Sequence, residues 1–336
     1  MHELSQMIKD DMKPALGVTE PGAIAFAVAK ARSFTKGDIK KVNVAMNSGM
    51  YKNAFTCGIP NSNEVGNVFA AALGVVAGNA DKGLESLADV TPEDNVKAQE
   101  MIDQGKITVE LSGITSRIFI EATVETEEDK AIVTIRDSHT NITKIIVNDK
   151  VELETEDEKK TEEDGGEEES HSIHKYTLQQ LYDYVTTVDI EEIRFINEAY
   201  KVNLELFHEG LENPRTTFAR QLLAINKGKE VSDDEQKTAS LMCNAAIEAR
   251  VIGLDKPAMS ITGSGAHGII ATMPLYAAYK VNGYTEEQLL RATALSYLVC
   301  MYIKEYSGRL SAFCGCAIAA GSGMACALVY LRGGTV

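Results

Sequence analysis

SRIFIEATVETEEDKAIVTIRDSHTNITKIIVN, residues 116–148, contains three runs in which apolar and polar residues alternate: 116–124, 130–136 and 142–148. A period of two sends every second side chain to one face, as in a strand buried on one side only. The runs are rich in Ile, Val and Thr and are joined by short polar stretches, which predicts successive antiparallel strands in a meander or ferredoxin-like arrangement. A further alternating run, 106–111, precedes them, and residues 40–47 (KKVNVAMN) read as another strand. Helical periods lie around these runs at 3–14, 21–33, 62–78 and 94–104. Pro21-Gly22 suits the opening of the second helix, and Ser62 and Gly78 suit the cap and the end of the third. Residues 1–150 are thus expected to form an α+β domain with antiparallel strands.

From Tyr176 the pattern changes. Helical periods fill 177–186, 189–209, 214–226, 233–251, 286–305 and 309–331, which predicts an all-α domain over 176–336. Between the two, residues 152–169 hold eleven acids and two lysines and supply −9 of the net charge of −16. A run with so little to bury reads as a flexible acidic linker, set at 151–175. The remaining chain is only mildly acidic and has no basic stripe, so nucleic acid is not an expected partner. The first residues alternate charge with apolar character, unlike a secretory signal. No apolar run reaches the roughly 18 residues that cross a bilayer, so no membrane association is expected. Six cysteines lack the spacing of a disulfide framework, which points to a reducing, cytoplasmic setting and to any special cysteine being a ligand or a reactive thiol. No CxxC pair is present, and zinc ribbons and thioredoxin-type sites are set aside.

Four segments carry candidate chemistry. In Met259-Ser260-Ile261-Thr262-Gly263-Ser264-Gly265-Ala266-His267-Gly268 the glycines allow close backbone approach, and the apolar run that follows places the loop near a helix N-terminus suited to a carboxylate. A Gly-rich turn is the bland alternative, against which His267 stands as a group able to move protons near neutral pH. Glu20, before Pro21, is either a functional carboxylate or a helix-capping acid. Ser138, His139, Thr140 and Asn141 lie between two predicted strands and form either a polar site or an exposed hairpin. Cys314 and Cys316 flank Gly315 and are close enough in sequence to share a metal, whereas Cys243, Cys300 and Cys326 lie in apolar helical stretches and read as packing. Cys57, in a turn-like stretch, stays undecided.

Taken in order, PALGVTEPGAIA (14–25), MYKNAFTCGIPN (50–61), NVFAAALGVVAGNADKGLE (67–85), SHTNI (138–142), PAMSITGSGAHGIIATMP (257–274) and GRLSAFCGCAIAAG (308–321) resemble the L-cysteine desulfidase and iron–sulfur L-serine dehydratase alpha-chain-like family. The resemblance covers the chain from about residue 10 onward apart from the acidic run, and the ordered set of motifs is specific where any one is weak. It implies a [4Fe–4S] cluster and β-elimination of an L-amino acid, with L-cysteine giving pyruvate, ammonia and sulfide. It assigns Ser264, Gly265 and Arg309 to carboxylate recognition, together with Asn53, Ser138, Thr140 and Asn141 as substrate contacts. His267, His139 and Lys52 are the candidate bases, with Glu20 beside them, and Cys314 is a cluster ligand with Cys316 as a substitute.

Two departures accompany it. The family's PALGCTEP cysteine is Val18 here, and Val cannot ligate iron. Family members also continue beyond the point where this chain stops, so the chain reads as interrupted after its last helix and an incomplete cluster is expected. The leading expectation is a lyase acting on a small amino acid, with a homo-oligomer allowed for. A non-catalytic amino-acid-binding paralogue or fragment is the alternative, and a scaffold acting through its acidic loop is the weaker third.

Overall fold

A computed structural model describes residues 1–115, 117–155, 173–307 and 314–336. The chain opens with α1 (Glu3–Asp11), β1 (Lys13–Leu16), α2 (Thr19–Arg32), β2 (Ile39–Asn47), α3 (Ser48–Ala54), α4 (Asn67–Ala77) and α5 (Pro92–Asp103). Five strands follow: β3 (Ile107–Gly113), β4 (Phe119–Thr126), β5 (Lys130–Arg136), β6 (Ile142–Val147) and β7 (Lys150–Glu154). The later part contains α6 (Leu178–Thr187), α7 (Ile190–Ile193), α8 (Asn197–Glu212), α9 (Phe218–Ile225), α10 (Glu235–Val251), β8 (Pro257–Ser260), α11 (Gly265–Asn282), α12 (Glu286–Ser307) and α13 (Gly321–Leu331).

These elements form two compact units, one of Leu16–Glu169 and one of Met1–Ala15 with Ser170–Val336. The expected boundary is corrected at the N-terminus. Leu4 and Ile8 of α1 are fully buried in the same apolar cluster as Leu181, Tyr297 and Leu298, so the first residues belong with the helical unit.

The unit of residues 16–169 is built on a six-stranded sheet in the order β3-β2-β4-β5-β6-β7. From β4 to β6 it is the antiparallel meander that the alternation predicts, and β7 extends it by one strand that the alternation did not announce. β2 and β3 instead run parallel, because three helices separate them and make the crossover that parallel neighbours require. Register aligns the buried residues into rungs: Met46–Ile120–Ile135, Val44–Ala122–Val133 and Val42–Val124–Ala131, every one fully buried. That face packs on α2, and α4 packs on α2 in turn. α4 begins at Asn67 after Gly66, later than the expected start at Ser62, and ends at Gly78 as expected. The strand β7 lies in the first residues of the expected linker, pairing with β6, while Ile173–Lys175 forms a buried-to-exposed 3-10 turn at its other end. The rest of the acidic run lies outside the described residues.

The second unit is helical, with one exception to the all-α expectation. β8 pairs with β1 in a two-stranded sheet. The buried Asn203 of α8 fixes this strand, accepting from Met259 N at 2.9 Å and donating to Thr272 Oγ1 of α11 at 3.0 Å. The predicted helical period at 189–209 is divided into α7, a 3-10 turn and α8. The predicted helix at 309–331 is seen from Cys316 onward as a π-turn running into α13.

The short helix α9 illustrates how this unit satisfies its helix ends. Glu248 of α10 accepts hydrogen bonds from Thr217 N at 2.7 Å, Phe218 N at 3.1 Å and Ala219 N at 2.8 Å. Burial pushes the Glu248 carboxyl up, but the three backbone donors and the Thr217 hydroxyl outweigh it and hold it below its ordinary range. A depressed carboxylate stabilises the fold above its unfolded-state pKa and loses that contribution as the pH falls through the folded value. Amide exchange in α9 is therefore expected to accelerate as the pH drops from about 6 to below about 4. Glu248→Gln should abolish that dependence and cost about 1 kcal/mol at neutral pH. Exchange in α9 that is independent of Glu248 would contradict this.

Candidate functional site

The loop after β8 is a tight turn closed by reciprocal bonds, Ile261 N to Ser264 O at 3.3 Å and Ser264 N to Ile261 O at 3.1 Å. Its two central residues, Thr262 at φ 54° and Gly263 at φ 71°, are both left-handed. For glycine this is ordinary; for a β-branched residue it is strained and persists only where contacts enforce it. Those contacts are present. Thr262 N donates to the carboxylate of Asp11, its hydroxyl donates to Ile261 O at 2.7 Å, and Ser260 Oγ donates to Lys13 O at 2.6 Å.

The turn delivers the chain into α11 with Ser264 at the N-cap position, its hydroxyl taking no part in capping the helix amides. The first N–H groups of α11, from Gly265, Ala266 and His267, point out of the helix start. The backbone runs close to its surroundings here. A side chain on Gly268 would begin 1.8 Å from Met259 O, and one on Gly265 would begin 2.7 Å from Nε of the buried Arg250.

His267 is buried, and its Nδ1 lies 2.6 Å from Thr262 Oγ1. With the single hydroxyl proton of Thr262 given to Ile261 O, its oxygen accepts from a ring protonated at Nδ1. Nε2 is the second ring nitrogen, on the side of the ring away from Thr262. It faces Gly315, where a Cβ would sit 2.7 Å from Nε2 and 3.5 Å from Cδ of Lys304. Lys304 is itself buried at 6% exposure, which lowers its pKa, with Cys300 and Cys316 acting the other way.

The thiols around this point are held protonated. Burial, with Cys314 adding to it through proximity and a hydrogen bond, pushes Cys316 up to about 11 despite the opposing charge of Arg250. Burial pushes Cys300 and Cys243 up to about 12, although Cys300 also hydrogen-bonds Thr262. Cys314 is exposed. Loop and helix thus bring together His267, Ser264 and Gly265 on one side and Cys314 with Cys316 on the other. Arg309 lies outside the described residues.

In the other unit, Glu20 sits in the first turn of α2, almost fully buried. It accepts from Asn53 Nδ2 at 2.9 Å and from Thr19 Oγ1 at 3.1 Å, while Cys57 Sγ donates to Asn53 O at 2.8 Å. Glu20 is thereby tied to the Asn53 side chain of α3. Lys52, next to Asn53 on α3, is exposed. Ser138, His139, Thr140 and Asn141 form the turn between β5 and β6. Asp137 is left-handed at its start, Ser138 N bonds Arg136 O at 2.7 Å, and Asn141 Nδ2 bonds Arg136 O at 3.2 Å. Ser138, His139 and Asn141 are half-buried and Thr140 is exposed.

Comparison with known proteins agrees with these motifs. Residues 81–336 match the family model described as the serine dehydratase alpha chain. The chain belongs to the serine dehydratase alpha chain family. A UPF0597 protein of Clostridium botulinum (strain Langeland) is 40% identical over 98% of this chain and 76% of its own length. A UPF0597 protein of Caldanaerobacter subterraneus subsp. tengcongensis is 36% identical over 99% of this chain and 77% of its own, and one of Bacteroides fragilis is 34% identical over the same shares. No solved structure matches.

An iron–sulfur cluster in a serine dehydratase alpha-type chain needs thiolates that converge. Among the described residues, no three His, Cys, Asp or Glu side chains are grouped to hold a metal. Cys314 and Cys316 are a pair, Cys300 and Cys243 are buried protonated thiols, and Val18, in the place of the motif cysteine, is a buried apolar residue at the start of α2. The described residues therefore do not fit a cluster that needs three protein thiolates. Among those residues, no helix is long and apolar enough to cross a membrane.

The sequence pattern singles out His267 and its loop, Thr262 included, but not Asp11, Arg250 or Lys304, which lie against it.

Proposed function

We propose that the protein acts on a small L-amino acid by β-elimination, taking L-cysteine and water to pyruvate, ammonia and sulfide, or L-serine to pyruvate and ammonia, the water it eliminates being used again in hydrolysis of the imine. The observation that carries this reading is the Thr262 to His267 hydrogen bond, which orients the buried imidazole so that Nε2 faces the backbone of Gly315, between Cys314 and Cys316. In the proposed step Nε2 takes the Cα proton, the released electron pair forms the Cα–Cβ double bond, and sulfide or hydroxide leaves Cβ. The resulting 2-aminoacrylate tautomerises to the imine, which water hydrolyses to pyruvate and ammonia. The amides at the start of α11 and the Ser264 hydroxyl suit the substrate carboxylate, and Arg309 is assigned to the same task. His139 and Lys52 are the alternative bases, Glu20 is a supporting carboxylate, and Asn53, Ser138, Thr140 and Asn141 are proposed substrate contacts. Six free thiols go with a reducing, cytoplasmic location.

The iron–sulfur cluster that the motifs imply would supply a Lewis-acidic iron for the leaving group, but no step above passes through it, since the described residues do not gather its ligands. A second reading, an amino-acid-binding protein without turnover, is favoured by Val18 in place of the motif cysteine. One experiment separates them: purification without oxygen, with iron and acid-labile sulfide measured beside pyruvate release from L-cysteine and L-serine. Pyruvate release establishes the lyase, and saturable binding without pyruvate establishes the binding protein. Neither binding nor turnover removes both.

A further inference from the structure

Beside the His267 loop, within the helical unit, lies a cavity of about 260 Å³. Its walls include Asp11, Thr262, Lys304 and Glu305, with Met7 and Met301 as apolar surface. The volume lies below the range of drug-sized sites and suits a metabolite of a few heavy atoms. Thr262 belongs both to this wall and to the hydrogen bond that sets the His267 tautomer. Lys304 and His267 also meet across Gly315, each within one side-chain contact of the same point.

We infer that this cavity seats the zwitterionic end of a small α-amino acid, with Lys304 as the charged partner of the carboxylate beside the Ser264 loop and Asp11 as the partner of the ammonium group. The inference rests on the amino-acid reading above and adds the residues that recognise the two charges. Lys304 is more than nine-tenths buried, so a contact to it is made away from water, where a charge-assisted hydrogen bond is strongest. Asp11 and Glu305 share the cavity wall with one lysine, and Glu305 is already engaged, accepting from Ile173 N at 3.1 Å and lying 3.8 Å from His174 Nε2, so Lys304 and Asp11 offer one charge of each sign to a ligand that carries both. Asp11 is already oriented, since it accepts from the backbone of Thr262. The methionines offer soft apolar contact to a thiol or methylene. Fixing both ends of the backbone in this way selects α-amino acids as a class and leaves the leaving group to be read elsewhere.

The test uses the full chain and reads the ligand-dependent rise in melting temperature, which reports binding whether or not turnover follows. The probes are L-cysteine, cysteamine, which lacks the carboxylate, and 3-mercaptopropionate, which lacks the ammonium group. The wild-type protein is expected to bind L-cysteine at least about tenfold more tightly than either analogue. Lys304→Met should lower L-cysteine affinity by about tenfold or more and erase its advantage over cysteamine, whereas Lys304→Arg should keep most of it. Asp11→Asn should erase the advantage over 3-mercaptopropionate. If Lys304→Met does not fold, the arginine and asparagine variants carry the same comparison. Equal binding of the three probes by the wild type, no binding of any, or L-cysteine affinity unchanged by Lys304→Met and Asp11→Asn overturns the assignment. Pyruvate release is scored separately. Turnover that survives Lys304→Met with unchanged KM leaves the lyase standing and this site wrong, and selective binding without pyruvate leaves this site standing and the lyase wrong.

Discussion

Gly268→Ala is expected to leave little folded protein, with a loss of more than about 4 kcal/mol. Helix propensity alone argues the opposite, since Ala in a helix is better than Gly by about 1 kcal/mol. Packing decides it. The added methyl would lie 1.8 Å from Met259 O, 2.8 Å from Met259 C and 3.3 Å from Ser260 Cα, all backbone of β8. Backbone yields only if the strand moves, and β8 is held by the Asn203 to Met259 bond, by Ser260 to Lys13 O and by its pairing with β1. Separating α11 from β8 also opens the cluster in which Met259, Ile261 and Ala271 are buried. A control lies at the far end of the same helix: Gly283 has φ 69° and open space around it, so Gly283→Ala pays only the left-handed backbone cost of about 1–2 kcal/mol. Soluble yield and melting temperature check both. A Gly268→Ala protein melting within a few degrees of wild type would show that the helix and strand are not held as closely as described.

The closeness that makes Gly268 irreplaceable was only half legible in the sequence. Three glycines in nine residues announced a backbone under some constraint and a helix start, and both are present. The alternation over 116–148 likewise announced its strands, because a sheet packed on one face writes its burial into every second residue. Ile120, Ala122 and Val124 are buried, and Phe119, Glu121 and Thr123 are not. The local signal could not carry the partners. β1 and β8 have four residues each, too few for a period to emerge, and their pairing joins positions far apart in the chain. β7 was hidden because every one of its residues is exposed, and its acids merge with the acidic run that follows.

The candidate site divides in the same way. His267, Ser264 and Gly265 could be read because glycines interleaved with Ser, Thr and His before an apolar run mark a loop at a helix start that can approach a ligand. Glu20 and Asn53 lie 33 residues apart and share a hydrogen bond that no local pattern implied. Lys304 stands in KEYS, a polar helix end by composition, and only packing against Gly315 and His267 makes it a buried cation. Asp11 looked like a surface acid beside Asp10. It contributes through a backbone bond to Thr262, across 251 residues of sequence.

His267→Asn is expected to lower pyruvate release by about a hundredfold or more while leaving amino-acid binding within about twofold of wild type. The argument depends on which nitrogen is removed. An asparagine amide reaches about as far as Nδ1 and can still donate to Thr262 Oγ1, so the turn and the start of α11 keep their hydrogen bond. What it lacks is the second ring nitrogen, which faces Gly315. A loss of turnover with binding and melting temperature preserved therefore reads the proton transfer itself. Thr262→Ala approaches the same nitrogen from the other side. It removes the oxygen that fixes the tautomer and also the β-branch at a left-handed φ of 54°, so stability should hold or rise while the rate falls by about tenfold. Stability and rate moving in opposite directions would mark Thr262 as a residue held in strain to set the proton on Nδ1. Should His267→Asn retain more than about a tenth of wild-type turnover, the base lies elsewhere, and His139 and Lys52 are the next to be replaced.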